Sequence, residues 1–167
     1  MNYILKICFP LIFVIFAACS GNSEVGTTEA QDNGHVFPIG EQVKSENFTG
    51  TVWLEMLITD DGTLDTHIGN VKFEPGARTN WHYHPGGQIL LATYGTGYYQ
   101  ERGGPIQVLQ KGDAIKYPPD VEHWHGASSD SRFTHIAISP NLDRGGVVWL
   151  DPVTDEEYNR PILFYMN

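Results

Sequence analysis

The sequence predicts an all-β fold, and three observations carry that prediction. Short runs rich in β-branched and aromatic residues follow one another from about residue 48 onward. Gly, Pro or Asp separates most of them, at a spacing of roughly 8–12 residues that suits a sandwich or barrel. No long segment repeats its apolar residues every 3.6 positions.

Taken in order, residues 51–57 form a β-branched and apolar run that ends before an Asp60-Asp61-Gly62 turn. Residues 67–73 alternate and stop at Glu74-Pro75-Gly76. Further strands are expected over residues 80–84, 88–94, 97–101, 106–109, 113–117, 123–127 and 133–139. One helix is expected near the end. Thr154 with Glu157 has the form of a capping box, and the helix should stop at Arg160, before Pro161.

Length and composition fit one globular domain with extra sequence attached. The chain has 167 residues, and its 41% hydrophobic content supplies a core, which excludes wholesale disorder. A net charge of -10 gives no basic face for a phosphate backbone, so nucleic acid is not an expected partner. Two cysteines cannot build a disulfide framework.

The extra sequence lies at the N-terminus. Residues 7–18 form an apolar run, shorter than the ~20 residues of a membrane-spanning helix but suited to the core of a signal peptide. Ala17-Ala18-Cys19 then resembles a bacterial lipobox, although Phe16 stands where Leu is usual. On this reading residues 1–18 are removed and Cys19 is lipidated, which anchors the protein in the envelope of a Gram-negative-type bacterium, facing the periplasm. The mature chain then carries nine basic and twenty acidic residues and no free thiol, which excludes cysteine catalysis. The alternative is an ordinary secretory signal and a soluble periplasmic protein. Residues 19–40 read as a flexible tether and 41–167 as the folded domain.

Five of the seven histidines fall between positions 82 and 135. On a strand, residues i and i+2 share a face, so His82 and His84 point one way, as do His123 and His125. Pro85-Gly86-Gly87 turns the chain and brings Gln88 close. Three imidazoles with one amide oxygen suit Mn, Fe, Co, Ni or Zn better than Ca or Mg. Such a site needs neutral imidazoles, so metal affinity is expected to weaken below about pH 6.

Two segments carry a resemblance. Gly76, His82, His84, Gln88 and Gly95 fit the pattern G-x5-H-x-H-x3-E-x6-G, with Gln88 in place of Glu. Gly112, Pro118 and His123 fit G-x5-P-x-G-x2-H-x3-N, with Asp120 and Ala127 as departures. The pair resembles the two motifs of the cupin superfamily. That implies a jelly-roll barrel with a metal held on its inner face by His82, His84, Gln88 and His123. The stretches 73–82, 123–127, 134–137 and 149–158 look like the small bacterial manganese cupins that include the cupin hydroxynitrile lyases. The likeness runs from about Asn47 to Tyr158. It implies manganese as the metal, a cyanohydrin hydroxyl as its ligand, and proton handling by His125 and His135.

Gln88 leaves a divalent metal its full charge, favours an electrophilic role, and removes an anionic base, so His125 is the natural proton acceptor. Gly69, Val71 and Phe73 share a strand face and are candidates for the substrate pocket. Arg78 could bind a substrate carboxylate or form a structural ion pair. Trp124 should face away from the cavity, and Trp53 and Trp81 should pack the barrel or a subunit contact. The expected activity is a metal-dependent lyase acting on a small hydroxy or carbonyl compound. The alternatives are an isomerase or dioxygenase on the same fold, or a non-catalytic module that binds a sugar acid. A homodimer or homotetramer is expected.

Overall fold

β-Branched and aromatic runs prefer the pleated, half-buried surface of a sheet, and the described residues form twelve strands, the longer ones from such runs. The computed structural model describes residues 36–160, so the signal run, Cys19 and most of the tether lie outside the described residues. The strands are β1 (Glu41–Gln42), β2 (Phe48–Thr49), β3 (Val52–Ile58), β4 (His67–Phe73), β5 (Arg78–Thr79) and β6 (His82–Tyr83). They continue as β7 (Gln88–Glu101), β8 (Gln107–Gln110), β9 (Ala114–Tyr117), β10 (His123–Ala127), β11 (Phe133–Ser139) and β12 (Val148–Trp149). All pair antiparallel, in the order β1-β3-β4-β11-β7-β10-β5-β2.

One strand joins the two sides of the barrel. The two runs expected at 88–94 and 97–101 are a single fourteen-residue strand, β7. Its first half pairs with β11 and β9, and its second half with β10 and β8. The bend falls at Gly95, whose φ of 71° suits glycine, and a Cβ there would sit 1.8 Å from the Arg132 carbonyl oxygen. The glycine therefore marks a corner rather than a break.

Inward-facing residues of both sheets make the core, among them Val52, Phe73, Ala92, Leu109, Ala127 and Phe133. A second cluster of Trp81, Ile106, Trp124, Val153 and Tyr158 lies beneath the C-terminal segment. Trp124 faces away from its histidine neighbours, as alternation requires. It is fully buried there, with its indole N–H donating to Gln100 Oε1 at 2.8 Å. Helix α1 (Asp155–Tyr158) is a single turn. Its capping box forms: Thr154 Oγ1 accepts from the Glu157 N–H at 3.1 Å, and the Glu157 carboxylate accepts from the Thr154 N–H at 2.9 Å. Ahead of β1, Asn70 Nδ2 donates to the Pro38 carbonyl at 2.7 Å.

Candidate active site

Strand pairing brings the histidines together. His82 on β6 stands directly opposite His123 on β10, and their ring centroids are 4.3 Å apart. His125 follows on the same face of β10, 5.3 Å from His82, and His135 comes from β11, 4.8 Å from His125. The turn at Pro85-Gly86-Gly87 is closed by the Gly87 N–H donating to the His84 carbonyl, and it delivers Gln88 to the start of β7.

The protons on two of these rings are fixed by their backbone partners. A carbonyl oxygen only accepts, so His82 Nδ1–H donates to Asn80 O at 3.0 Å and His123 Nδ1–H to Val121 O at 2.8 Å. Burial holds His82 well below its usual pKa of 6.5 and lowers His123 to about 3. Both rings are therefore neutral, and each leaves its Nε2 as a bare lone pair. His123 Nε2 lies 3.0 Å from Gln88 Oε1, so two acceptors face one another. That contact is unfavourable by itself. Two ligands each ~2.1 Å from one cation, at right angles, stand about 3.0 Å apart. One ring nitrogen each of His82, His123 and His125 lies within 4.8 Å of the others. The donor set thus fits a divalent transition metal.

Not every expected ligand converges equally. His82, Gln88 and His123 meet closely, whereas the His84 ring stands 5.4 Å from His82 and 5.9 Å from His123. His84 Nε2 is buried without a hydrogen-bond partner, and burial lowers its pKa to about 4. His125, expected as a base, also stands within reach of the metal position. Its Nδ1 has no partner, and burial, reinforced by His135, holds it well below 6.5. Neither nitrogen of His135 has a partner, and burial lowers its pKa to about 3. The His135 ring lies between Phe73, at 5.7 Å, and Phe133, at 5.4 Å. Tyr117 lies flat on His123 at 3.7 Å, with its hydroxyl pushed well up by burial.

These depressed values give a sign to the acid response. A histidine titrating near 6.5 when unfolded but at about 3 or 4 when folded takes up fewer protons in the native state. Its contribution is complete above pH 6.5 and is lost as pH falls toward the folded value, at ~1.4 kcal/mol per pH unit for each such group. The melting temperature of the metal-free protein should accordingly drop between pH 6.5 and 4. A flat profile in thermal melts across that window would contradict the burial of these rings. The expected loss of metal affinity below about pH 6 shifts toward pH 4 for the same reason.

His82, His84, His125 and His135 open onto a cavity of about 110 Å³. Val71, Phe73, His125 and His135 line it, as do Leu54 and Ala137. Two expected pocket residues do not. Gly69 lies behind Leu54, whose Cδ1 would be 2.9 Å from a Cβ added there. Arg78 points the opposite way from its neighbour Thr79, which does reach the cavity. The Arg78 guanidinium donates instead to Val153 O and to Asp155 Oδ1, the latter at 2.6 Å, and lies 4.7 Å over the Tyr158 ring. It is a structural ion pair and not a substrate ligand. Val43, Phe48, Thr79, Val147 and Trp149 complete the wall, and the sequence reading did not include them. Ala137 was within reach of that reading, since it lies two residues from His135 on one strand face. None of the described lining residues is Lys, Arg, Asp or Glu.

Similarity to known proteins agrees with this arrangement. A family model described as a cupin domain matches residues 69–139, which contain all six residues His82, His84, Gln88, His123, His125 and His135. A cupin-like protein from Thermotoga maritima, known from its crystal structure, is 50% identical. That match covers 77% of this chain and 97% of the other, with a TM-score of 0.75. The polyketide cyclase RemF from Streptomyces resistomycificus shares the fold at 16% identity and a TM-score of 0.57, over 71% of this chain and 84% of its own. The (R)-mandelonitrile lyase of Granulicella tundricola is 43% identical over 113 residues, 68% of this chain and 86% of the lyase. The chain therefore belongs to the cupin family, as a small bacterial cupin that resembles the hydroxynitrile lyases.

Proposed function

We propose that this cupin is a metal-dependent lyase that splits neutral, apolar cyanohydrins into a carbonyl compound and hydrogen cyanide. One observation carries the reading: an uncharged, largely apolar pocket opens onto buried, neutral imidazoles whose nitrogens lack protein partners. The similarity to a mandelonitrile lyase supports it. A sugar-acid binding module would clamp the carboxylate with Arg or Lys beside the metal, and the described lining residues include neither.

His82, His84, Gln88 and His123 would hold the metal, manganese on the family likeness, with Fe, Zn, Ni and Co as alternatives. When bound, the cation supplies Lewis acidity that stabilises negative charge developing on the substrate oxygen. His125, neutral and with an unpartnered nitrogen, accepts the hydroxyl proton. The O–H electron pair becomes the carbonyl π bond, and the carbon–nitrile bond breaks with its pair leaving as cyanide. The imidazolium then returns the proton to cyanide. His135 stands 4.8 Å from His125 and adds a second neutral imidazole to this relay. The apolar walls exclude water from the reacting centre.

The experiment is a substrate screen with mandelonitrile, an unsaturated uronate and a flavonol. Benzaldehyde and cyanide should appear from mandelonitrile alone, and turnover of the uronate or flavonol in its place would overturn the lyase reading. Gln88→Glu should hold metal at least as tightly yet react more slowly, because its carboxylate opposes charge developing on the substrate oxygen. Bound metal and rate measured on one preparation check this, and an unchanged rate would remove the electrophilic role of Gln88.

We further propose that the protein sits at the cell envelope, anchored through Cys19 and facing the periplasm, as a homodimer or homotetramer. The apolar run ending in Ala17-Ala18-Cys19 supports the anchor. Cys19→Ser should move the protein from the membrane to the soluble periplasmic fraction. Unchanged partition, with no acyl mass on the wild-type N-terminus, would rule the anchor out.

A further inference from the structure

Trp149 lies outside both histidine segments, yet it forms one wall of the pocket. The two-residue strand β12 pairs with β6 and sets Trp149 directly opposite His82. Its ring centroid lies 4.9 Å from the His82 imidazole and 5.3 Å from Phe48, which meets it edge-on at 63°. The segment that carries it is held along its length. Leu150 N–H donates to Trp81 O at 2.8 Å, and Trp81 N–H donates to Asp151 O at 3.0 Å. Arg78 then grips Val153 O, and the Tyr158 hydroxyl donates to Ala127 O at 2.8 Å. These bonds fix the backbone on which the indole stands. Across the cavity stand the aliphatic side chains of Leu54, Val71 and Ala137.

Resting on the lyase reading, we propose that Trp149 is a specificity-determining residue. Its indole face, with Phe48 behind it, is the wall against which a single aromatic ring of the substrate lies, and it sets the largest ring that enters. The cavity of about 110 Å³ is comparable to the ~150 Å³ that accommodates a benzene ring. A fused second ring would have to occupy the space of the indole. Offset aromatic pairs contribute ~0.5–1.5 kcal/mol beyond area burial, which is a factor of about 2 to 12 in affinity.

The test compares benzaldehyde with 2-naphthaldehyde by equilibrium dialysis against the purified metal-loaded protein, alongside turnover of the two corresponding cyanohydrins. Wild type should prefer the phenyl ligand. Trp149→Ala, with wild-type metal content and circular dichroism, should bind benzaldehyde about 2–12-fold more weakly and reverse the ranking in favour of the naphthyl ring. An unchanged ranking in that variant would overturn the proposal. If Trp149→Ala does not fold, Trp149→Phe must shift the ranking in the same direction, and no shift overturns the proposal equally. Wild type that cleaves neither cyanohydrin, while the dialysis ranking still reverses in the variant, would reject the lyase reading and leave the role of Trp149 standing.

Discussion

His123→Ala should strip the protein of its metal and reduce cyanohydrin cleavage to background. The ring is fixed on two sides. Its Nδ1–H is tied to Val121 O, and Tyr117 lies flat against one face. That preorganisation leaves one lone pair aimed at one point. Loss of an outer hydrogen-bond partner costs a metal site ~10–100-fold in affinity, so loss of a ligand should exceed that range. His84→Ala should also empty the site, because its buried Nε2 has no partner within the protein. Metal per chain, measured by elemental analysis after desalting, decides the matter. Full occupancy in His123→Ala would refute the assignment. Full occupancy in His84→Ala alone would move the ligand set to His82, His123 and His125.

His125→Ala should fail differently, keeping its metal while losing about 10²–10⁴-fold in turnover, the usual range for a general base. Its neutral, desolvated imidazole takes a proton readily only from an acidified donor, which the hydroxyl of a bound cyanohydrin becomes next to a cation. His135 is the control. It lies between Phe73 and Phe133, one ring further from His82 and His123, and its replacement should be milder than that of His125. Rate and bound metal must be read on the same preparations. Full activity in His125→Ala, or loss of metal together with activity, would transfer the role of base to His135.

Much of this site is legible in the sequence because it depends on local rules. Alternation along one strand places His123 and His125 on a common face, and β4, β10 and β11 begin and end where their turn residues say they should. The capping box at Thr154 is likewise local and forms as read. What the sequence hides depends on long-range pairing. Strands β1, β2, β5 and β12 are two residues long, too short to show a period, and partners far along the chain create them. Trp149 reaches the pocket only because β12 lies beside β6, 66 positions away in sequence. From its place beside the histidine segment, Arg78 is open to two roles, a substrate ligand or a structural ion pair. The one-residue offset from Thr79 sends it to the other face, where Asp155 and Val153 occupy it.

Dependence of rate on metal occupancy tests the central claim most directly. The protein is stripped with a chelator, metal is restored stepwise, and mandelonitrile cleavage is followed at each occupancy. Rate should rise in proportion to bound metal and level off close to one metal per chain, with the stripped protein inactive but folded. A stripped protein that cleaves mandelonitrile as fast as the loaded one, or a loaded protein that never does, would contradict a metal-dependent lyase.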